Sequence, residues 1–377
     1  MDFNHTEERR MLAESLGRYL TDNYAFETRM EIVQSDIGYS SQKWQELAEM
    51  GVIGALFSED NGGFGGAGFD ITVVFEELGR AGVVEPFLAT LLAGAVLSQL
   101  DNQEHTQLIE SMIAGDELIA LAHGEANAHY DLEHVATTAN QTDDGYVLNG
   151  AKAVVLNGGE ANKLIVSARL SGEPFSQDGI ALFLMDAEHV GLTIRPYPTM
   201  DGSRAAEISL SNVKLPATAL LSSRENSFAV LQTAYARATL AVSAEALGAM
   251  EIATQMTGEY LSTRTQFGQP IGMFQALQHR MSEMMIELQQ MRSSIINAAG
   301  SLDSTPATRD KAISAAKNLT GRVGKLIAEE SIQMHGGIGM TWEYAMPHFA
   351  KRIIMIDHLF GDSDHHLGRF ASLSQVS

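Results

Sequence analysis

The sequence predicts an α+β chain in three parts: an N-terminal helical domain over residues 1–115, a central antiparallel β-domain over 116–220, and a C-terminal four-helix-type bundle over 221–377. Three observations predict it. Apolar residues recur at helical spacing up to about residue 115. From Glu117 to Pro216 the apolar runs turn short and β-rich, with turn residues between them at roughly ten-residue intervals, the texture of an antiparallel sandwich or barrel. From about Glu225 the helical period resumes over long stretches. At 45% hydrophobic and 19% charged, the chain can bury a large core.

The elements follow in order. Trp44, Leu47, Met50 and Val52 keep helical spacing and end near Gly51. Asp70 can cap a helix carrying Val73, Val74, Phe75 and Leu78, with Gly82 past its end. Glu85-Pro86 opens an apolar stretch from Phe87 to Leu100. The β-part offers Leu118–Ala122, His134–Asn140, Tyr146–Asn149, Ala153–Leu156, Leu164–Ala168, Ile180–Met185, Leu192–Pro196 and Ala206–Val213, with Asp143-Asp144-Gly145 as a hairpin turn. In the C-terminal part, nine alanines between Ala229 and Ala253 permit close helix packing. A second helix carries Leu277, Met281, Met284, Met285, Leu288 and Ile295; a third carries Ala316, Leu319, Val323, Leu326 and Ile327 and can end at Gly336.

Charge and cysteine content exclude several classes. The net charge is −22, from 47 acids and 25 bases. That balance argues against nucleic acid, where Lys and Arg must neutralise phosphate, and against an anionic membrane surface. Residues 1–115 carry six bases against nineteen acids, more than half of the excess. Zero cysteines remove disulfides, thiolate metal sites and thiol nucleophiles. Met1-Asp2-Phe3-Asn4 is no secretory leader, and no apolar run reaches about 18 residues. The expectation is a soluble, acidic, cytoplasmic protein.

Some motifs carry chemistry and some imitate it. Gly63-Phe64-Gly65-Gly66-Ala67-Gly68 fits G-x-G-x-x-G, but no strand precedes it and no βαβ alternation follows, so it reads as a loop between helices. Asp362, Asp364, His365 and His366 could exchange protons or ligate a metal; the plainer reading is a helix start with Asp362 or Ser363 as its cap, and no metal is expected. Met273, Met281, Met284, Met285 and Met291 read as core filling. Two stretches are more specific. In the first, Arg264-Thr-Gln-Phe267-Gly268 leads to Phe274-Gln275. In the second, Gln333-Met-His335-Gly336-Gly337-Ile-Gly339 leads to Trp342. A buried Phe267, an arginine and a glutamine between two long helices could hold a planar, phosphorylated ligand. Gly336-Gly337 would let backbone N–H groups approach it. A helix–turn–helix corner packed by Phe and Gly explains either stretch alone.

Together these stretches resemble the acyl-CoA dehydrogenase family, as does Tyr146-Val-Leu-Asn149-Gly150-Ala-Lys152 in the β-part, and the likeness covers the whole chain. The ending Leu359-Phe360-Gly361-Asp362-Ser363-Asp364-His365-His366-Leu367 is similar, within that family, to small subunits of the pimeloyl-CoA dehydrogenase type. The resemblance implies the acyl-CoA dehydrogenase fold and FAD. It also implies dehydrogenation of an acyl-CoA thioester to the trans-2-enoyl-CoA, in fatty acid or dicarboxylate degradation. A carboxylate takes the α-proton, the β-hydrogen leaves as hydride to the flavin, and electrons pass to an electron-transferring flavoprotein. It implies a homo- or heterotetramer with FAD across a subunit interface. Arg264, Phe267, Gln275, Gln333, Gly336 and Gly337 would then serve the ADP side, and Ser363 would contact FAD.

The chain departs from the family where the chemistry sits. The usual catalytic Glu is Gly361 here, after Phe360, and Asp362 lies one residue on. The other family position for a base falls in Ala236-Arg237-Ala238-Thr239, which has no acid. Asp362 is the candidate catalytic base, with Asp364 as a substitute. The flavin-side Thr-Glu pair reads Gly124-Glu125, the Trp-Ile-Thr segment reads Val154-Val155-Leu156, and the Gly-Ser-Asp loop reads Ala128-His129-Tyr130-Asp131. The ADP half is kept while the ring half and base are eroded. An acyl-CoA dehydrogenase acting by itself or with a partner subunit, a non-catalytic or half-site subunit of a heteromer, and a nicotinamide enzyme built on Gly63–Gly68 stay open at this point. CoA is a polyanion, so its site must be locally basic; Lys163, Arg169 and Arg195 lie in the β-part.

Overall fold

The computed structural model describes residues 5–100, 102–222 and 226–375. The four N-terminal residues read above for a leader lie outside that range, as does Glu225, where the helical period resumes. In chain order the helices are α1 (Glu7–Asn23), α2 (Phe26–Gln34), α3 (Ser41–Glu49), α4 (Gly68–Ala81), α5 (Phe87–Leu97) and α6 (Gln103–Ile113). The strands β1 (Ile119–Ala122), β2 (Thr138–Thr142), β3 (Gly145–Leu156), β4 (Lys163–Arg169), β5 (Ile180–Asp186), β6 (Leu192–Pro198), β7 (Arg204–Pro216) and β8 (Leu220–Ser222) follow. Then come α7 (Ser227–Thr263), the short β9 (Thr265–Gln266) and β10 (Gln269–Pro270), α8 (Gln275–Ser301), α9 (Pro306–His335), α10 (Met346–His358) and α11 (Ser363–Gln375). No helix among the described residues is long and apolar enough to cross a membrane. The chain packs as two compact units.

One unit comprises residues 32–65 and 84–238 and centres on the sheet, ordered β6-β7-β3-β2-β4-β5-β8. Its ladders are antiparallel except those of β1 and β2 with β4. Its core is built from Leu148, Leu164, Val166, Phe183, Ile208 and Val213, with the Tyr146 and Phe183 rings edge-to-face at 5.0 Å. Asp143 and Asp144 form the two-residue link between Thr142 and Gly145, as the hairpin reading requires. Two strand expectations shift. Tyr146–Asn149 and Ala153–Leu156 merge into β3, which carries register shifts near Gly150 and Val154. The run expected at His134–Asn140 becomes a strand only at Thr138, because side chains take the earlier backbone groups. Glu125 accepts from the N–H of Ala136 and Thr137, at 2.8 and 3.0 Å. Arg169 takes the Val135 carbonyl at 2.8 Å.

Arg169 is the internal tie of this unit. Its buried guanidinium donates to five carbonyls: Val135, Asp178, Glu133, Pro174 and Ser176. It therefore fastens the segment before β2 to the loop between β4 and β5, and is not a surface cation for CoA. Lys163 is paired with Asp186 at 2.6 Å. Arg195, on β6, is exposed.

The other unit comprises residues up to 31, 66–83 and from 239 on, and is helical. The α4 and α7 backbones pack closely through two glycines: a Cβ on Gly79 would strike the Glu245 carbonyl, and one on Gly248 the Glu76 carbonyl. Charges tie the helices beside this crossing. Arg80 pairs with Glu76, Glu77 and Glu251, and Arg292 with Glu76 and Glu251. Arg352 grips Glu245 with two bonds, of 2.6 and 2.7 Å. Asp70 reaches back from the first turn of α4 to the Ala67 N–H at 2.9 Å, and Gly82 ends the helix at φ +64°. The methionine group divides. Met284 and Met291 are buried in line with Leu288 and Ile295 and Met281 is half-buried, whereas Met285 falls off that stripe and Met273 lies in the turn before α8, both exposed.

Arg169→Met is expected to destabilise the protein by about 3 kcal/mol or more, since five carbonyls lose charge-assisted donors in a buried setting. Arg169→Lys should recover only part, because an ammonium has three N–H groups and no planar fork. Urea unfolding midpoints of the three proteins check this.

Candidate active site

The two C-terminal stretches come together in the helical unit. After α7, the Ile271 N–H returns to the Arg264 carbonyl at 2.9 Å, closing the small β9–β10 hairpin. Phe267 and Gly268 form its tip at φ +55° and +81°. The end of α7, from which the hairpin springs, is held against the end of α9 by a stack of Tyr260 on His335, 4.7 Å between centroids at 26°. His335 is buried and donates Nδ1–H to the Ser331 carbonyl at 2.8 Å, so its Nε2 accepts from the Tyr344 hydroxyl at 3.3 Å. Burial pushes its imidazole below the ordinary pKa, which keeps the ring neutral.

Around this stack Arg264, Phe267, Gln275, Gln333, Gly336 and Gly337 are all exposed. The expectation of a buried Phe267 is corrected: the residue is 91% exposed at the hairpin tip, with Phe274 edge-on at 6.1 Å. Gly336 stands at φ +65°, and neither it nor Gly337 has any atom within 4 Å of where a Cβ would sit. The Tyr260–His335 stack thus brings the segment with an arginine and an exposed ring toward a bare glycine backbone at the end of a long helix, groups that could together make an open cradle. This fits the ADP portion of a dinucleotide: phosphate against Arg264 and the Gly336–Gly337 backbone, adenine against an aromatic face.

The turn between α10 and α11 is also in this unit. Phe360 and Gly361 have φ of +60° and +110°. The Asp362 carboxylate accepts from the His365 N–H at 2.8 Å and so caps α11 with one of its oxygens. Ser363 donates its N–H to Asp357 at 3.0 Å, and its carbonyl accepts from Asn318 at 2.8 Å. Asp364 is exposed. His366 is buried between the Phe360 carbonyl (3.0 Å) and the Ser314 hydroxyl (3.4 Å). Burial and the nearby Lys317 ammonium push His366 down to about 3, so it stays neutral. No group of three or more His, Asp or Glu among the described residues could hold a metal.

In the sheet unit, the residues expected on the flavin-ring side surround a buried polar knot. Lys152 is fully buried and uses three N–H donors: on Glu125 (2.7 Å), the His123 carbonyl (3.1 Å) and Ser167 (3.0 Å). His123 donates Nε2–H to the Leu132 carbonyl at 2.9 Å and accepts from Ser167 at Nδ1. Burial, then Lys152, push His123 down to about 3. Burial alone would raise Glu125, but the Lys152 ammonium and the Thr137 donors outweigh it and bring the carboxyl to about 2. Above the knot, Ala153 donates to the Gly124 carbonyl at 2.8 Å, and Val154 is thrown outward at φ +53°. The family's hydroxyls are replaced there by an exposed valine and backbone. The Lys152–Glu125 pair is missed by reading the sequence; the signal for it is a lysine inside a strand of otherwise apolar and small residues.

Profiles described as acyl-CoA dehydrogenase N-terminal, middle and C-terminal domains match residues 6–116, 120–213 and 228–372. Acyl-CoA dehydrogenase IpdE2 of Mycobacterium tuberculosis is 30% identical over 92% of this chain and 91% of its own. The chain belongs to the acyl-CoA dehydrogenase family. Among solved structures, butyryl-CoA dehydrogenase from Megasphaera elsdenii superposes with a TM-score of 0.90, at 26% identity and 100% coverage of both chains. A variant of the steroid ACAD Tcur3481-Tcur3483 gives 0.87, at 28% identity and 98% coverage of each. The N-terminal helices, central sheet and C-terminal bundle are those of the family, and the protein is an FAD-binding oxidoreductase acting on acyl-CoA.

The folded pKa of Glu125 lies below its unfolded value of about 4.3, so its contribution to stability is full above that pH. It should be lost as pH falls toward about 2. Glu125→Gln should flatten this part of the stability–pH curve, read as urea midpoints from pH 5 to 2; an unchanged slope would contradict the assignment.

Proposed function

We propose that the chain serves the α,β-dehydrogenation of an acyl-CoA thioester to the trans-2-enoyl-CoA, passing electrons to an electron-transferring flavoprotein. The observation that carries this reading is the open cradle of Arg264, Phe267, Gly336 and Gly337, in a chain that matches the family from end to end. FAD supplies the two-electron acceptor when bound. Arg264 would hold its pyrophosphate, Phe267 and Gln333 its adenosine side, and Gln275 would close the cradle from the first turn of α8. Ser363, fixed at its N–H and its carbonyl, would present its hydroxyl to the cofactor.

The α-proton needs a carboxylate. In this chain the candidate is Asp362, held half-buried at the start of α11 with the Lys317 ammonium nearby. A second reading starts from Gly361: the turn offers no carboxylate at the place where the resemblance puts the base, and the chain would give its ADP-side residues to the flavin of an unlike partner that carries the base. The likeness of the C-terminal ending to small subunits of the pimeloyl-CoA dehydrogenase type supports a heteromer. A homo- or heterotetramer with a dicarboxylyl, long-chain or ring-bearing acyl group fits either form.

The deciding experiment is the visible spectrum of the purified chain, alone and co-expressed with an unlike dehydrogenase chain, before and after anaerobic addition of acyl-CoAs. A flavin band that bleaches in either preparation supports the reading; no flavin in both sinks it. Arg264→Ala should raise the Kd for FAD about tenfold or more, measured by flavin fluorescence, through loss of a charge-assisted phosphate contact. Asp362→Asn should abolish bleaching if this chain supplies the base. Bleaching at an unchanged rate transfers that role to the partner.

A further inference from the structure

Lys317 is the second fully buried lysine, and the chemistry above leaves it unassigned. It sits on α9, and its Nζ donates to two carbonyls, one just before the α10–α11 turn and one within it: Asp357, in the last turn of α10, at 2.8 Å and Gly361 at 2.6 Å. Ser314, Lys317, Asn318 and Gly321 lie at i, i+3, i+4 and i+7, one face of the helix. Every one of them meets the turn or the first turn of α11. Ser314 bonds His366, which in turn takes the Phe360 carbonyl. Asn318 takes the Ser363 carbonyl. Gly321 leaves room for Asp357 Oδ1, which its Cβ would overlap. The carbonyls of residues 357, 360, 361 and 363 are thus each claimed by a side chain, two of them by the same ammonium.

We propose that Lys317 is a positioning residue: by drawing the Asp357 and Gly361 carbonyls to one point, it holds Phe360 and Gly361 in the left-handed path that closes position 361 to any side chain. Only glycine tolerates φ +110° easily, and a Cβ there would lie 2.6 Å from His365 Cδ2 and 2.8 Å from His366 Nε2. The ammonium supports this from below. Burial brings Lys317 down to about 8, against the pull of Asp357 and Asp362, so it remains charged at neutral pH. The turn is therefore committed to leaving proton transfer to Asp362 or a partner's carboxylate. The kinetic part of this inference rests on the reading that the turn borders the acyl-CoA site; the conformational part does not.

A double-substitution cycle on the full chain tests it, combining Gly361→Ala with Lys317→Met and reading urea unfolding. With Lys317 present, Gly361→Ala should lower the folding constant sharply; with Lys317→Met, the same change should cost about tenfold less. Additivity within about twofold overturns the proposal. Should Lys317→Met not fold, Lys317→Gln keeps a donor, and amide exchange at Gly361, Ser363 and His366 should then quicken about tenfold relative to the rest of α11. Unchanged exchange overturns it equally. Kinetics supply the second arm: Lys317→Met should depress kcat about tenfold while KM moves less than about threefold. Strong coupling in the cycle with an unaltered kcat would remove Lys317 from catalysis. Wild-type protein that never turns over, with or without a partner, would fault the functional reading and leave the cycle to judge the turn.

Discussion

An ammonium taken out of water must meet oxygen on each of its N–H groups, or burial destabilises the fold by several kcal/mol. Lys152 and Lys317 impose that constraint, one in each unit. Each answers it in part with backbone carbonyls that lie at or beside a turn: Lys152 with His123, alongside Glu125 and Ser167, and Lys317 with Asp357 at the end of α10 and with Gly361. Turns have few other means of fixing their carbonyls, since no ladder or helix satisfies them. A buried lysine therefore converts an irregular segment into a defined one. In this chain the two segments so defined are the exit of β1 and the α10–α11 turn. Both coincide with the places where the sequence departs from its family.

The contrast between the two halves of the cofactor region follows from what each half needs. On the proposed reading the ADP side would rely on backbone openness and one guanidinium, features that Gly336, Gly337 and Arg264 supply. The ring side and the base depend on particular hydroxyl and carboxylate groups, which Gly124, Val154 and Gly361 do not have. Their loss leaves the scaffold undisturbed, because the buried knot beneath Val154 and the polar face of α9 hold the backbone without them.

Periodicity makes most of the architecture readable. The helical spacing about Trp44, Val74 and Leu288, the β-texture from residue 118 to 216 and the Asp143-Asp144-Gly145 turn each correspond to an element. What periodicity misses is decided by side chains far away in sequence. The strand expected from His134 starts late because Glu125 and Arg169 take its backbone groups. Phe267 reads as buried because aromatic residues usually hide their rings; a two-residue hairpin tip instead holds it outward. Lys317 sits among Ile313, Ala316 and Thr320 on a buried face, a local pattern that points to core and gives no hint of its carbonyl partners. Asp362 suits proton transfer and capping equally well by residue type; the geometry shows the cap, made with one of its two oxygens.

The exposed hairpin ring has a consequence for handling the protein. A phenyl group left in water beside an anion cradle is a surface that gains from cover, by the nucleotide or by another chain. If, as proposed, the flavin lies between chains, its retention would obey mass action: dilution that separates chains would also release cofactor, and excess cofactor would favour the associated form. Colour, chain association and thermal stability would rise and fall together with protein concentration, so flavin content measured after a dilute column step reports the history of the sample as much as the capacity of the site.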